Sequence, residues 1–217
     1  MKHGAIFDMD GLLFDTERLY EKVWIETAAD FNQKPSLALA RAVCGTTGEY
    51  LKKIVRSYYP DVDAEAYIQA TIDRMTKYLT DYKVELMPGA LDILAYLSTQ
   101  GVKLAIASGS SREMIERNLA HSGLSSYFSA IVSGFEVVNG KPAPDIFLTA
   151  ARELGVPPED CYVFEDGING ALAGISAGCA TVMIPDLMKP TPELVRNCAG
   201  IYESLAIALD AIKAGEI

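Results

Sequence analysis

Short apolar runs alternate with longer stretches whose apolar residues recur every three or four positions, and this change of period divides the chain. Gly4-Ala5-Ile6-Phe7 is apolar and β-favouring and predicts a buried strand. From there to Val84 the texture is helical only. Residues 17–31 carry Tyr20, Val23, Trp24 and Ala28 at helical spacing, and Ser36 caps a segment through Val43. Thr47 caps a third helix with Leu51, Ile54, Val55 and Tyr58, and Asp63 opens a fourth with Ile68, Ile72, Met75, Leu79 and Tyr82. From Pro88 onward helix and strand alternate. Helix 89–100 presents Leu91, Leu94 and Leu97, strand 102–107 follows, and Ser110 with Glu113 forms a capping-box pattern for a helix ending near Gly123. Next come strand 130–133, helix 145–154 entered through Pro142 and Pro144 and ended by Gly155, and strands 161–164 and 180–184. Ile201-Tyr202 and a helix over 205–213 are expected to cover the flank of the sheet.

Strands separated by helices of this length predict a parallel sheet with helices on both faces. The expected fold is α/β, a Rossmann-like doubly wound parallel core interrupted by a four-helix insertion. The boundaries are 1–16 with 85–217 for the core and 17–84 for the insertion.

Composition narrows the ligands. The 217 residues, 50% of them hydrophobic, can bury a sizeable core. Nineteen Lys and Arg against 29 Asp and Glu give a net charge of −10 without a long basic run. That field repels nucleic acid and anionic membrane surfaces, so neither is an expected partner, and no obligate protein partner is evident. A phosphate ligand would have to be attracted locally, by a metal, a lysine or helix amino-termini. The four cysteines, Cys44, Cys161, Cys179 and Cys198, lie far apart with no CxxC pair and read as reduced and mostly buried. The amino-terminus has no signal-like apolar region, and no stretch approaches the ~18 apolar residues of a membrane span. The expected compartment is the cytoplasm.

In an open α/β sheet, residues just after the strands converge on one edge. After the first strand stand Asp8, Asp10 and Gly11, the glycine allowing a sharp turn and close approach to a ligand. Two carboxylates this close repel, which suits one nucleophile and one proton donor. A calcium loop does not fit, because an EF-hand needs glycine sixth and glutamate twelfth, whereas this run has Gly11 fourth and Leu19 twelfth. After the second strand come Ser108, Gly109 and Ser110, a phosphate cradle at a helix start. Lys141 follows the third strand, stiffened by Pro142-Ala143-Pro144, and Glu165-Asp166-Gly167 follow the fourth. Carboxylates gathered at one point require a cation, and this oxygen-donor set suits Mg²⁺. Gly174-Ile175-Ser176-Ala177-Gly178 matches the GxSxG of serine hydrolases but falls within or at the end of a helix, where a nucleophile elbow does not sit.

With these motifs in order, the chain resembles the haloacid dehalogenase superfamily, in the phosphatase and phosphomutase branch with a helical cap. Asp8-Met9-Asp10-Gly11 with Asp15-Thr16-Glu17 is similar to its first motif, Ser108 to its second, Lys141-Pro142-Ala143-Pro144-Asp145 to its third and Glu165-Asp166 to its fourth. The resemblance implies a Mg²⁺-dependent phosphomonoesterase acting on a small phosphorylated metabolite such as a sugar phosphate. It implies Asp8 as nucleophile forming an aspartyl-phosphate and Asp10 as general acid and base. Asp8, Asp10 through its carbonyl, Glu165 and Asp166 would hold the metal, and Gly11, Ser108, Gly109 and Lys141 would bind substrate. Residues 17–84 would be a cap governing selectivity, with hinges near Thr16 and Val84. Within the branch the texture resembles β-phosphoglucomutase and related sugar-phosphate phosphatases. The mutase, however, carries a histidine in its first cap helix and an arginine in its cap loop, where this chain has Tyr20 and the neutral Cys44-Gly45-Thr46-Thr47-Gly48. Without the arginine clamp for a second phosphate, hydrolysis is favoured over mutase activity. A non-catalytic phosphometabolite-binding module is a further alternative, and it would lack an acid that this chain retains.

Overall fold

The computed structural model describes residues 1–43, 48–81, 84–186 and 189–217. Two compact units emerge, Met1–Asp15 with Glu85–Ile217, and Thr16–Val84.

The first unit is an α/β layer structure. Its elements are β1 (Gly4–Phe7), then in the second unit α1 (Thr16–Asp30), α2 (Leu37–Ala42), α3 (Gly48–Tyr58) and α4 (Ala64–Asp81). The chain re-enters the first unit with α5 (Ala90–Thr99), β2 (Lys103–Ser108), α6 (Arg112–Ser122), β3 (Phe128–Ser133) and α7 (Asp145–Leu154). It ends with β4 (Cys161–Glu165), α8 (Ile168–Ser176), β5 (Ala180–Met183), α9 (Pro192–Asn197), β6 (Gly200–Ile201) and α10 (Leu205–Ala214). The six strands lie in the order β3-β2-β1-β4-β5-β6, and every pairing is parallel. All four residues of β1 are buried, because a central parallel strand is covered on both faces. Ile6, Ala105, Ala107, Val132 and Val163 pack under α7 and α8 through Ile146, Phe147, Ala150 and Ala173. The alternate residues face the other way, where Phe7 stacks on Phe164 at 4.6 Å and meets Phe128 edge-on at 6.3 Å. Helix α5 packs on β2, and α10 packs along α5.

Several expectations shift by a residue or two. In α5 it is Ile93, Leu94 and Leu97 that are buried, while Leu91 is exposed. The cap of α6 is Ser111, whose hydroxyl accepts from the Met114 N–H; Ser110 stands one residue outside the helix and turns its hydroxyl elsewhere. The two-residue β6 and the six-residue α9 are additions, too short to leave a periodic signal. The GxSxG run ends α8, with Ser176 its last residue.

The second unit is built around Tyr67. Its ring is buried among Trp24, Phe31 and Tyr59, at centroid distances of 5.7, 5.1 and 5.5 Å, and its hydroxyl donates to the Trp24 carbonyl at 2.8 Å. The buried stripe of α4 is therefore Ala64-Tyr67-Thr71 rather than the face through Ile68 and Ile72, and Ile72 is 51% exposed. Thr71 and, in α1, Thr27 are buried because each hydroxyl donates to the carbonyl four residues earlier, both at 2.9 Å. Val23, Trp24 and Ala28 are buried as expected, whereas Tyr20 and Tyr58 face solvent and Tyr59 takes the inward place. Ser36 and Asp63 act as caps, accepting from the N–H groups of Leu39 and of Glu65 and Ala66. The expected Thr47 cap, Tyr82 and the Leu79 side chain lie outside the described residues, as does the loop 44–47. Among the described residues no helix is long and apolar enough to cross a membrane.

Trp24 is the chain's single tryptophan and lies in this ring cluster, so its fluorescence reports on the helical unit. Tyr67→Ala is expected to destabilise that unit by about 3–5 kcal/mol, from lost burial and the cavity left behind. Urea unfolding followed by Trp24 fluorescence checks this, and a shift under ~1 kcal/mol would mean the cluster does not hold the helices together.

Candidate active site

The strand order dictates where a ligand site can form. From β1 the chain moves outward to β2 and β3, then returns to place β4 on the opposite side of β1, so the carboxyl ends of β1 and β4 flank a topological switch point. Asp8 is the first residue beyond β1, and its N–H donates to the Phe164 carbonyl at 3.0 Å, continuing the ladder. Phe7 is level with both Ile106 and Phe164, so the residues that follow them, Ala107 and Glu165, stand on either side of Asp8.

Beyond Asp8 the chain turns tightly. The Met9 carbonyl accepts from Leu13 and Phe14, and the Gly11 N–H donates to the Phe14 carbonyl at 3.0 Å. Gly11 has φ +80°, a conformation that side chains disfavour. Asp10 is carried on this turn. Its Oδ2 accepts from Ser110 Oγ at 2.7 Å and from Ser108 Oγ at 3.3 Å, while Ser108 Oγ accepts from the Ser110 N–H at 3.1 Å.

Lys141 joins the strand ends. Its Nζ donates to Asp8 Oδ1 at 2.5 Å, to Glu165 Oε1 at 2.6 Å and to the Ala107 carbonyl at 3.0 Å, and lies 5.0 Å from the centre of the Phe147 ring. Three N–H donors meet three acceptors, so the ammonium is fully satisfied although buried. Burial opposes its charge, but the carboxylates of Asp8 and Glu165 outweigh burial and hold its pKa above the usual lysine range. The second oxygen of Glu165 accepts from the Gly167 N–H at 3.1 Å. Burial pushes the Glu165 carboxyl up against the pull of Lys141, with the Asp8 charge adding to the rise. Asp166 is pushed up to about 9, by burial first and then by the charges of Asp8 and Glu165.

The eight residues singled out from the sequence thus fall into two connected groups and two glycines. Asp8, Lys141 and Glu165 are in direct contact, with Asp166 beside them; Asp10 and Ser108 form the second group. Gly109 is exposed with open space beside it, and Gly11 shapes the turn. The structure adds the Ala107 carbonyl and Gly170, which carry no recognisable signal in the sequence, and gives Ser110, already placed in the cradle, a contact with Asp10. Gly170, in the first turn of α8, lies so close to the Glu165 carboxylate that a Cβ there would land on it.

A metal can be tested against this donor set. Asp8, Glu165 and Asp166 each offer an oxygen, all within 4.8 Å of one another. Three carboxylates and one ammonium leave two negative charges, which a divalent cation balances, and oxygen donors of this kind are those a hard cation takes. The residues fit such an ion. The Asp10 carboxylate is not one of the three, since it turns to the serines.

A family model for "haloacid dehalogenase-like hydrolase" matches residues 3–178, which include every residue of both groups. The chain belongs to the haloacid dehalogenase-like hydrolases. Among relatives of this hydrolase, a Drosophila melanogaster protein described as "Probable pseudouridine-5'-phosphatase" is 40% identical over 93% of this chain and 89% of its own length. A fructose-1-phosphate phosphatase of Escherichia coli is 35% identical over 82% and 94%. Among solved structures, a family hydrolase from Deinococcus radiodurans, crystallised with phosphate and sodium bound, superposes with a TM-score of 0.84 at 27% identity, covering 99% of this chain and 96% of that one.

The contact between Gly170 and Glu165 makes a separable prediction for this hydrolase. Gly170→Ala forces the Glu165 carboxylate to move and is expected to cost about 1–3 kcal/mol by overpacking. Gly167→Ala, whose Cβ would sit at an ordinary 3.6 Å from Glu165, is expected to be near neutral. Urea denaturation of the two variants checks the difference, and equal stabilities would show that Glu165 shifts without resistance.

Proposed function

We propose that this hydrolase cleaves small phosphorylated metabolites, sugar phosphates among them, with Asp8 as nucleophile and Asp10 as general acid and base. It is a phosphatase of the haloacid dehalogenase superfamily. The observation that carries the reading is the pairing of Asp8 with Lys141 at the switch point, next to an acidic group that fits a divalent cation. An ammonium at 2.5 Å orients the Asp8 carboxylate, which a nucleophilic oxygen requires. The named activities of the relatives, both phosphatases, support the same chemistry, and the phosphate bound by the Deinococcus structure supports an anion site in this fold.

In the proposed reaction an Asp8 oxygen bonds to phosphorus as the bond to the leaving oxygen breaks, and Asp10 gives that oxygen its proton. Asp10 then takes a proton from the water that hydrolyses the aspartyl-phosphate. Ser108 and the Gly109 backbone would hold the phosphoryl oxygens, and Lys141 would join them by giving up one of its present acceptors, a donor set that offsets charge as it develops. Asp8, Asp166 and the Asp10 carbonyl would hold Mg²⁺, which when bound neutralises phosphoryl charge. Glu165, with one oxygen on Lys141 and the other on the Gly167 N–H, serves chiefly to fix the lysine. The helical unit Thr16–Val84 is assigned as the cap that governs selectivity.

The test is turnover of a phosphomonoester panel, including fructose 1-phosphate, pseudouridine 5'-phosphate and β-glucose 1-phosphate, with free phosphate and glucose 6-phosphate followed separately. Free phosphate is expected, with loss on chelation and recovery with Mg²⁺. Asp8→Asn is expected to lower kcat/KM at least ~10³-fold, as removal of a nucleophile does. Asp10→Asn is expected to lower it about 10²–10⁴-fold. Glucose 6-phosphate without free phosphate would replace this reading by a phosphomutase, and full activity of Asp8→Asn would reject it.

A further inference from the structure

The geometry points to the turn that follows β3, residues 133–136, as the device that positions the Ser108–Ser110 loop, with Ser133 as its principal positioning residue. This rests on the phosphatase reading above, in which that loop grips the phosphoryl oxygens.

Ser108 and Ser133 are the last paired residues of β2 and β3, and β3 is an edge strand. Beyond this pair, contacts other than the ladder must hold the two chains together. Ser133 is fully buried, and its Oγ donates to the Ser110 carbonyl at 2.6 Å while accepting from the Phe135 N–H at 3.2 Å. Gly134 backs the loop so closely that a Cβ there would lie 3.1 Å from the Gly109 Cα. Arg112, the first residue of α6, forks onto Glu136, with Nε to Oε1 at 2.5 Å and Nη2 to Oε2 at 2.8 Å, and Nη2 also donates to the Ile131 carbonyl at 2.6 Å. Glu136 is itself fixed, because its Oε2 accepts from the Ser133 N–H at 3.1 Å and completes a capping box around the turn. A forked pair whose acceptor is already held gives up less side-chain freedom than an ordinary surface ion pair. Phe135, in the middle of the turn, is 80% exposed, so polar contacts and not apolar burial give the turn its shape.

The loop needs a template because of the kind of donor it offers. A metal ion or a lysine attracts a phosphoryl group as a charge, and a displacement of about 0.3 Å at ~4 Å changes that attraction by less than ~10%. A neutral donor acts only near hydrogen-bond length and angle and weakens steeply outside them. The Ser108 hydroxyl and the Gly109 backbone are neutral, so what they contribute as charge develops depends on where the loop is held. The Ser110 N–H donates to Ser108 Oγ at 3.1 Å, so a tether on the Ser110 carbonyl reaches Ser108 as well.

Three variants separate the contacts. Ser133→Ala removes the tether, Gly134→Ala keeps it but pushes on Gly109, and Glu136→Gln discharges the outer grip. Each is assayed well below its unfolding midpoint on the phosphomonoester that the wild type turns over best. For Ser133→Ala and Gly134→Ala, kcat/KM is expected to fall roughly 10- to 100-fold, a part of what losing such a donor outright costs. For Glu136→Gln, whose ion pair is more exposed, the expected fall is about three- to tenfold. The inhibition constant for orthovanadate, a five-coordinate mimic of the transferring phosphoryl group, is expected to rise by the same factors. The Mg²⁺ concentration for half activation is expected to stay within about twofold, since the carboxylates assigned to the metal stand at other strand ends. Glu116→Gln, which removes only the 3.7 Å i,i+4 partner of Arg112, is expected to match the wild type. Wild-type kcat/KM and orthovanadate inhibition in Ser133→Ala and Gly134→Ala would overturn the proposal. So would an Mg²⁺ requirement that rises with the loss of activity, because a general loosening of the site would then suffice. If Ser133→Ala does not fold, Gly134→Ala decides, its φ lying outside the left-handed region. If the wild type hydrolyses no ester, the phosphatase reading fails, and calorimetric binding of orthovanadate decides this one: equal affinity in wild type and variants overturns it.

Discussion

A buried ammonium needs three acceptors, and Lys141 finds them in Asp8, Glu165 and the Ala107 carbonyl, each delivered by a different strand end. Removing one partner of such an ion pair leaves an uncompensated charge in a low-dielectric place, which costs about 3–5 kcal/mol. The triad therefore ties the carboxyl ends of β1, β2 and β4 to the loop that precedes α7. Phe147, which Lys141 overlies, is part of the apolar cluster with Ile6, Ala105 and Val163, so the position of the ammonium is inherited from side-chain packing on the sheet. The chemistry at the edge depends on a core several residues away.

Charge sets the second constraint. A chain with net charge −10 repels a phosphate ester at long range, and three carboxylates at the strand ends repel it again at short range. One lysine cannot reverse this, because its charge is already divided between two acids. A divalent cation would restore balance locally, and the loop from Ser108 to Ser110 adds donors that carry no charge of their own. Local groups must do all the attracting, which confines ligand binding to this edge.

Position after a strand is a one-dimensional property, and it is why Asp8, Ser108, Lys141, Glu165 and Asp166 could be gathered from the sequence: the sheet order then brings them together. What a side chain touches once it is there is not one-dimensional. Glu165 and Asp166 are neighbours in sequence, yet one faces Lys141 and the Gly167 N–H while the other stands beside Asp8, a difference set by the strand ending at Glu165. Ser110 looked like a helix cap because Ser110 and Ser111 present the same hydroxyl one residue apart, and only the backbone of the α6 entrance separates them. In α1 and α4 of the helical unit the misplaced faces share one cause. Thr27 and Thr71 count as polar by type but hide their hydroxyls on helix carbonyls, which rotates the buried stripe away from Tyr20 and Ile72.

The two groups of the site differ in how firmly they are held, and the difference matches the roles proposed for them. Asp8 is fixed by a charge-assisted contact at 2.5 Å, inside a network whose rupture would strand a buried charge. In the nucleophilic role proposed for it, Asp8 held this way would spend little reorganisation in reaching phosphorus. Asp10 is held by serine hydroxyls, one near and one far, whose individual worth is about 1 kcal/mol or slightly more with an ionised acceptor. Such contacts can be exchanged for a substrate oxygen without disturbing the fold. The two proton transfers proposed for Asp10 would need that latitude.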